Sequence, residues 1–249
     1  MKKIFLIALL LNLASMGQLH AQLFGGQLKS PTTPYPGGTV HCNPQNRTDV
    51  VPVTSTTGKI WMDRNLGADQ VASSSQDPLS YGDLYQWGRG SDGHQCRNSS
   101  TQTGLSSSDV PGHGNFITTT NSPLDWRNSK NDNLWQGIAG INNPCPKGFR
   151  IPTQAEFTAE IVTWTTNGEN DDIGAFNSVL KLPSSGFRNN GDGVVTFTSL
   201  SIRFGIFWSS TIDGGSAQGL AIRNTTSAID TYIGTYNRSR GYSVRCIKN

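Results

Sequence analysis

Cysteine and histidine are the residues of this chain best suited to bind a metal ion. The four cysteines are Cys42, Cys96, Cys145 and Cys246. His41 and His94 lie close to the first two, so two imidazoles and two thiolates could form a structural zinc site. Their spacing matches none of the usual zinc-binding patterns, and an even number of cysteines in an oxidising compartment favours disulfides. We therefore expect two disulfides, and the residues alone leave three pairings open.

The groups needed for hydrolysis are sparse. Serine hydrolysis needs a histidine base, but His41, His94 and His113 all lie in polar loops, where side chains are usually solvated. Glycoside hydrolysis needs two facing carboxylates. Glu156 belongs to a helix cap, and Glu160, one turn later, is predicted to face solvent. No spacing pairs two of the aspartates, so we predict neither catalytic residues nor a cofactor.

Aromatic and amide side chains give the remaining chemical signal. Aromatic rings stack on sugar rings while neighbouring amides bond the sugar hydroxyls. Tyr, Asn, Arg and Ser together make adaptable recognition surfaces. The candidate ligand-binding residues are Trp126, Trp135, Arg223, Asn224, Tyr232, Tyr236, Asn237 and Arg238. For the two tryptophans, the alternative is that they anchor a long loop to the core.

A fold with both strands and helices must position these residues. Val53 and residues 59–62 predict two short strands around a turn. Residues 77–87 predict a helix, because a proline is tolerated at its first position and apolar residues recur three and four apart. Residues 89–144 are mostly polar. A structureless loop of that length is unusual in a compact domain, so we expect its tryptophans to order it in part.

The clearest local pattern is a capping box at residues 153–156 (TQAE), where the Thr hydroxyl and the Glu carboxylate satisfy each other's backbone amides. Phe157, Ile161 and Trp164 follow on one helical face. A second helix from Asp172 is predicted to bury Ile173, Phe176, Val179 and Leu180. Short apolar runs predict strands at residues 194–197, 206–208, 220–222, 229–233 and 242–247. We therefore predict a single α+β domain with two or three helices and short antiparallel strands.

The first 21 residues have the features of a secretory signal peptide. Lys2 and Lys3 precede an apolar run from Ile4 to Leu13, and residues 19–21 resemble a small-residue cleavage site. The run is too short to span a bilayer, and no second apolar span follows, so we expect no transmembrane span after cleavage. A Pro/Gly-rich lead-in over residues 22–52 then precedes the domain at residues 53–249.

Charge excludes one class of partner. The chain has 20 Lys and Arg residues and 17 Asp and Glu residues. Removal of Lys2 and Lys3 with the signal peptide leaves a nearly neutral protein. Such a balance gives no electrostatic reason to bind nucleic acid or an anionic membrane. We therefore predict a secreted or surface-associated protein whose partner is a glycan or a protein.

Six short motifs in a fixed order resemble a known family. They lie at residues 58–68 (GKIWMDRNLGA), 81–88 (YGDLYQWG), 145–153 (CPKGFRIPT), 185–188 (SGFR), 207–211 (FWSST) and 241–246 (GYSVRC). Together they resemble the Fibrobacter succinogenes major paralogous domain of exported bacterial proteins. The resemblance implies a C-type-lectin-like fold, related to the formylglycine-generating enzyme domain and to the variable binding proteins of diversity-generating retroelements.

The resemblance also implies particular roles for some residues. It implies that Cys145 pairs with Cys246, which leaves Cys42 for Cys96. The copper-holding cysteines of the formylglycine-generating enzymes are not carried over, because Cys145 and Cys246 lie in motifs that look structural. In the retroelement proteins the C-terminal region carries the ligand surface, which favours the tyrosine-rich C-terminal segment as the binding site here.

Calcium is a common partner of lectin-like folds. The usual Glu-Pro-Asn, Gln-Pro-Asp and Trp-Asn-Asp signatures are absent from this sequence. Residues 167–172 offer oxygen atoms but lack the spacing of an EF-hand, and a solvated turn between two helices is the alternative. The sequence therefore assigns no metal site.

These observations favour an exported, non-catalytic binding module that recognises a glycan or a protein through its C-terminal loops. Two alternatives stay open. One is an extracellular enzyme that acts on polysaccharide with aspartates at the same surface, and the other is a structural subunit of a surface layer or filament.

Overall fold

The computed structural model describes residues 34–165, 170–196, 203–225 and 229–249. The compact unit to which they belong is Pro34–Asn249, so residues 34–52 of the expected lead-in share one unit with residues 53–249. The expected signal peptide, residues 1–21, lies outside the described residues.

Two α-helices, α1 (Gln154–Thr165) and α2 (Asp172–Asn177), occur in the described part of the chain. The strands are β1 (Pro52–Thr54), β2 (Ile60–Met62), β3 (Tyr85–Gln86), β4 (Thr101–Gln102), β5 (Phe116–Ile117), β6 (Phe149–Arg150), β7 (Phe187–Arg188), β8 (Val195–Thr196), β9 (Arg203–Asp213), β10 (Ser216–Asn224), β11 (Ile229–Tyr236), β12 (Gly241–Tyr242) and β13 (Ile247–Lys248). This mixture of short sheets with few helices is an α+β architecture, as the sequence predicts.

The last strand, β13, lies inside a sheet that also contains the first strand of the described residues, β1. This four-stranded sheet has the order β1-β2-β13-β6, and β1 with β2 forms the predicted hairpin. Ile247 of β13 pairs with Trp61 on one side and with Arg150 on the other. The C-terminal strand therefore closes the domain.

Two disulfides join parts of the chain that are distant in sequence. Cys145 bonds Cys246 across 101 residues, and Cys42 bonds Cys96 across 54. These are the pairs that the resemblance implies. Because both sulfurs near His41 and His94 are used in a disulfide, the zinc alternative is excluded for the structure described.

The predicted helix over residues 77–87 is wrong. Asp77 does cap a helical turn, but this is a 3₁₀ turn of only three residues, Pro78–Ser80. Gly82 then has φ +67°, where a side chain would approach the Leu66 carbonyl oxygen at 2.2 Å. The left-handed backbone ends the helix, and the chain extends into β3, which pairs with β12.

Helix α1 begins at the predicted capping box. Glu156 Oε2 accepts a hydrogen bond from Thr153 N at 2.8 Å, and Thr153 Oγ1 accepts one from Glu156 N at 3.3 Å. Arg150 donates to both carboxylate oxygens of Glu156, at 2.9 and 2.7 Å. The cap therefore also joins the helix to strand β6.

The predicted exposure of Glu160 is wrong, since its side chain is 2% exposed. Its Oε1 accepts hydrogen bonds from Ser55 Oγ at 2.6 Å, Thr57 Oγ1 at 2.5 Å and Trp61 Nε1 at 3.2 Å. These donors belong to the β1–β2 hairpin and its turn, which covers this face of α1. The spacing of residues along the helix does not reveal that a hairpin distant in sequence packs on this face.

Helix α2 buries a different face from the predicted one. Ile173 and Val179 are 40% and 44% exposed, whereas Gly174 and Ala175 are buried. The helix ends at Asn177, after six residues, and its buried residues are Asp172, Gly174 and Ala175. Leu180 is buried as predicted.

Two hydrophobic clusters form the core. One lies between α1 and one face of the C-terminal sheet and includes Trp61, Phe157, Trp164, Phe207, Leu220 and Ile222. The other lies under the long loop and includes Trp87, Trp126, Trp135, Trp208 and Tyr242. The second cluster includes Trp126 and Trp135. These tryptophans order part of the polar region at residues 89–144, as we predict from the sequence.

Candidate functional site

One face of the C-terminal sheet carries the best candidate binding surface. The sheet has the order β11-β10-β9, and its other face packs on the helices. On the opposite face, the register aligns Ile206 with Ala221 and Tyr232, and the buried Trp208 with Gly219 and Gly234. Small residues on the middle strand thus lie between large side chains on both flanks.

We call this surface the aromatic shelf and define it by five half-buried side chains, Phe187, Phe204, Ile206, Tyr232 and Tyr236. The Phe187 and Phe204 rings are 5.3 Å apart, and the Tyr236 ring meets Trp208 edge-on at 6.3 Å. Buried Tyr242 joins the two groups, with ring contacts to Phe187 and Tyr236 at 6.2 and 5.1 Å. The half-buried rings of the shelf are therefore linked from below by the buried Tyr242 and Trp208 rings.

Glycine shapes the tyrosine side of the shelf. A Cβ atom at Gly234 would lie 2.5 Å from Tyr236 Oη, so the Tyr236 ring folds back over this glycine. The Tyr236 hydroxyl then donates to Tyr232 Oη at 3.4 Å. Burial raises the pKa of Tyr236 well above its usual range, so its hydroxyl stays neutral. The contacts with Gly234 and Tyr232 hold the ring in place.

Arg223 closes one end of the shelf, and its charge is balanced. Its guanidinium lies 4.4 Å from the centre of the Tyr232 ring. It also donates two hydrogen bonds of 2.7 Å to the Asp230 carboxylate. The hydrogen bond from Arg223 to Asp230 raises the arginine pKa. Arg223 therefore orients the Tyr232 ring and offers little free charge to an anion.

Arg240 lies at the opposite end and has no carboxylate within salt-bridge distance among the described residues. Its guanidinium lies 5.6 Å from the centre of the Phe187 ring. The neighbouring Tyr242 hydroxyl is buried without a hydrogen-bond partner of good geometry, and burial raises its pKa to about 12. This end of the shelf therefore offers the Arg240 guanidinium, whose charge is not balanced by a carboxylate among the described residues.

Asn224 and Asn237 flank the shelf without forming it. Asn224 Nδ2 donates to Asp172 Oδ1 at 2.8 Å, so its amide ties the end of β10 to the start of α2. Asn237 lies half-buried in the turn after β11, where its carbonyl accepts from Arg240 N at 3.1 Å. The structure therefore brings Arg223, Tyr232 and Tyr236 together and leaves the two amides at the margin.

Trp126 and Trp135 are corrections to the predicted binding set. Both indoles are 0% exposed, so neither can stack on a ligand. Trp126 Nε1 donates to the Trp87 carbonyl at 2.7 Å, and Trp135 Nε1 donates to the Asn142 carbonyl at 3.0 Å. The alternative stated from the sequence, that these rings anchor the long loop, describes the structure.

Arg238 is a third correction, because it is 1% exposed. Its guanidinium lies 4.4 Å from the centre of the Trp87 ring and donates to Asp132 Oδ1 at 2.6 Å. The residue is adjacent to the tyrosine-rich strand in sequence, but its side chain enters the loop core. Proximity in sequence to the tyrosine-rich strand therefore does not place Arg238 on the binding surface.

The groups that could do chemistry elsewhere are held in structural roles. His94, expected in a solvated loop, is 0% exposed. Its Nε2 accepts from Gln86 N at 3.0 Å, and its Nδ1 lies 2.6 Å from Asp92 Oδ1. Burial and the charge of Arg89 lower the pKa of His94 to about 4, so the ring is neutral at physiological pH.

In the turn considered for calcium, the carboxylate oxygens of Asp171 and Asp172 already accept hydrogen bonds from the protein. Asp171 caps α2 with hydrogen bonds from Ile173 N and Gly174 N at 2.9 and 3.0 Å. Asp172 accepts from Arg203 Nε at 2.7 Å. Residues 167–169 lie outside the description, and the described residues contain no cluster of three His, Cys, Asp or Glu suited to a metal.

Sequence reasoning missed Phe187, Phe204, Ile206 and Arg240. The alternation of Phe204, Ile206 and Trp208 along β9 carries a signal, since residues two apart in a strand share a face. Phe187 and Arg240 have no such signal. They reach the shelf only because β7 and β12 pair in another sheet.

Comparison with known proteins gives no relative. No family model, curated protein or solved structure matches this chain. In the described part of the chain, no helix is both long and apolar enough to cross a membrane. The two disulfides are consistent with an oxidising, extracellular environment.

Proposed function

We propose that this protein is an exported binding module that recognises a glycan through the aromatic shelf. The observation that carries the proposal is a group of half-buried aromatic rings, with Phe204, Tyr232 and Tyr236 on the C-terminal sheet and Phe187 on strand β7 beside it. Tyrosine and phenylalanine rings stack on the apolar faces of sugar rings, and tyrosine hydroxyls bond the sugar hydroxyls. A preordered surface of this kind loses little conformational entropy on binding.

The donors at the ends of the shelf favour particular positions for the sugar. Arg223 is neutralised by Asp230, so the Tyr232 end suits a neutral ring. Arg240 suits a sugar ring that carries a carboxylate at the other end, because a guanidinium binds carboxylate oxygens well. Glycans with and without uronic acid are therefore the informative ligands.

We also propose a C-type-lectin-like fold and export by the N-terminal segment. Three observations support this fold: the C-terminal strand lies between β2 and β6, a capped helix follows β6, and a disulfide joins Cys145 to Cys246. Both disulfides support an oxidising compartment. Cleavage after Ala21 is tested by N-terminal sequencing of the protein purified from the culture medium or the cell surface.

A glycan array with the full chain tests the function. We expect binding to a defined set of glycans, a loss of at least about tenfold for Tyr232→Ala and a smaller loss for Tyr232→Phe, which keeps the ring. Val110→Ala is the matched control, because Val110 is an exposed apolar residue in the long loop. Arg240→Gln should weaken only the glycans that carry a carboxylate.

Three outcomes would count against the proposal. Binding that is unaffected by Tyr232→Ala would place the ligand elsewhere. Turnover of a bound polysaccharide would favour the enzyme alternative. Silence on the array combined with capture of a protein, or with self-association into filaments, would favour a protein ligand or a structural subunit.

A further inference from the structure

The two edges of the C-terminal sheet are covered differently. The outer edge of β9 is bonded to the rest of the domain, since Trp208 N donates to the Ser243 carbonyl at 3.0 Å and Ser210 N donates to the Pro152 carbonyl at 2.8 Å. Strand β11 forms the other edge, because the sheet has the order β11-β10-β9. Among the residues that the structure describes, no strand pairs with the outer side of β11.

Alternation along the strands shows which groups of β11 point outward. In an antiparallel sheet, the N–H and C=O of one residue lie on the same side of the strand, and successive residues alternate. Because Trp208 N points away from β10, its register partner Gly219 bonds β11, where it is paired with Gly234. Ile233 and Thr235, on either side of Gly234, therefore direct their N–H and C=O groups outward.

Thr231, the preceding outward residue, agrees with this assignment. Its N–H donates to Asn170 Oδ1 at 3.0 Å, which covers this point of the edge. No described residue bonds the outward N–H and C=O groups of Ile233 and Thr235. Thr235 is exposed and Ile233 is half-buried, so a partner can reach these four groups.

Strand β11 lacks the features that usually keep a sheet edge from pairing with other strands. Protected edges are very short or bulged, or carry lysine or proline. Residues 229–236 (IDTYIGTY) contain neither lysine nor proline, and all eight pair with β10 in continuous register. The charged residue of the strand, Asp230, is bound to Arg223. The edge is therefore long, regular and without uncompensated charge.

We propose that β11 pairs with β11 of a second copy of this chain, antiparallel and about a two-fold axis at Gly234. Ile233 then lies opposite Thr235 of the partner subunit, and this pair exchanges two hydrogen bonds. The two-fold axis generates a second, identical pair. The four outward groups of Ile233 and Thr235 are then used in each copy, while Asn170 keeps its bond to Thr231.

This register also fits the side chains on the shelf face. It places Tyr232 opposite Tyr236 of the partner subunit on both sides of the axis, and aromatic pairs across strands stabilise a sheet. At the axis the two strands approach to about 4.5 Å between Cα atoms, where Gly234 has no side chain to clash. The pairing therefore joins the aromatic shelves of the two copies into one surface.

A second copy fits this edge better than a peptide of unrelated sequence. Its edge has the same length, the same spacing of free groups and no uncompensated charge, so the two surfaces are complementary by symmetry. Asp230 lies four residues before Gly234. The two Asp230 residues of the dimer are therefore about 27 Å apart, well beyond the screening length of about 8 Å.

Sedimentation velocity of the full chain between about 1 and about 100 µM tests for this dimer. We expect the weight-average sedimentation coefficient to rise from the monomer value to the dimer value. Thr235→Pro should weaken dimerisation at least about tenfold, because proline removes an outward donor from each copy and leaves the bonds to β10 in place. Thr235→Val is the matched control. It loses the hydroxyl bond to Asp213 Oδ2 but keeps the N–H, so it should dimerise like the unaltered protein.

Amide hydrogen exchange in the unaltered protein gives a second measurement that needs no variant. The Ile233 and Thr235 amides should exchange about tenfold more slowly when about nine-tenths of the chains are dimeric. The Thr231 amide should not respond to protein concentration, because Asn170 already holds it in each chain. The exchange rates decide if Thr235→Pro does not fold.

The proposal is overturned by a monomer at every concentration, by equal dimerisation of Thr235→Pro and the unaltered protein, or by Ile233 and Thr235 amides whose exchange is independent of concentration. Assembly beyond a dimer would also contradict it, because a two-fold contact closes. A monomer that binds an added extended peptide at this edge would favour a peptide as the occupant. These measurements contain no glycan, so their outcome is independent of the proposed function.

Discussion

The long loop at residues 88–148 and the C-terminal sheet satisfy their backbone polar groups in different ways. In the sheet, β10 pairs with β9 and β11 along nearly its whole length, so neighbouring strands satisfy the backbone. In the loop, regular strands are short, and side chains donate to the carbonyls. Trp126 donates to the Trp87 carbonyl, and Asn142 donates to the carbonyls of Gly88 and Asp109.

The difference teaches where single substitutions should matter. Backbone ladders depend little on the identity of the side chain, so most exposed positions of the sheet can vary. A carbonyl that is satisfied by one indole or guanidinium loses its partner when that side chain is changed. We therefore expect the loop to tolerate less variation than the sheet, although loops usually vary more.

The largest effect is expected from the disulfides that confine the loop. Replacing Cys145 and Cys246 with serine should lower the free energy of unfolding by about 4–5 kcal/mol, because the bond closes 101 residues. Replacing Cys42 and Cys96 should cost slightly less, about 4 kcal/mol, for 54 residues. Urea unfolding measures both, and equal stability of either variant and the parent would contradict the loop model.

Two arginines compare a side chain that satisfies carbonyls of the loop with one that lies on the C-terminal sheet. Arg188 is 3% exposed and donates to the carbonyls of Gly193, Cys96 and Ser99, so Arg188→Ala should cost about 3–4 kcal/mol. Arg188→Lys should recover little, since one ammonium cannot reach all three. Arg223→Ala on the sheet removes a half-exposed ion pair and should cost about 1 kcal/mol or less. Urea unfolding in which Arg223→Ala costs as much as Arg188→Ala would contradict this comparison.

The pH dependence gives a smaller effect that separates two buried groups, Asp83 before the loop and His94 within it. Burial raises the pKa of Asp83 to about 7 from 3.8, so the folded state keeps its proton longer and this contribution to stability falls between about pH 4 and pH 7. Burial lowers the pKa of His94 to about 4 from 6.5. Its contribution falls in the opposite direction, as the pH drops through the same range.

The two contributions to stability oppose each other in the unaltered protein. Replacing one group should therefore reveal the contribution of the other. Asp83→Asn should raise stability at about pH 7 by at most a few kcal/mol and leave a steeper rise between about pH 4 and pH 6.5. The His94→Gln variant should be less stable at neutral pH. Its free energy of unfolding should fall as the pH rises between about pH 4 and pH 7, opposite to the trend in Asp83→Asn. Urea unfolding at several pH values measures the free energy of unfolding of both variants. If its dependence on pH is the same in both variants as in the unaltered protein, neither group controls the pH response.

Local patterns were sufficient where the interactions are local. The capping box at Thr153 and Glu156 and the β1–β2 hairpin depend on residues only a few positions apart, and the structure contains both. The helix expected at residues 77–87 is absent because the conformation of Gly82 is set by the approach of the distant Leu66 carbonyl. Periodicity gives no information about such an approach.

The candidate site shows the same limit. Tyr232, Tyr236 and Arg223 could be selected from composition, because their strands are adjacent in sequence. Phe187 and Arg240 could not, since they reach the shelf through the pairing of β7 with β12. Trp126, Trp135 and Arg238 have the composition of a recognition surface but lie in the core.

The amino-acid sequence alone determined an α+β chain with an even set of cysteines, a capped helix and strands of alternating pattern. These features follow from backbone geometry and from contacts between near neighbours. Only the tertiary structure decided which aromatic rings are exposed, which carboxylates are buried and which loop carbonyls receive a side-chain donor. Burial is a property of the whole packed chain, so it depends on residues far apart in sequence whose meeting no local pattern specifies.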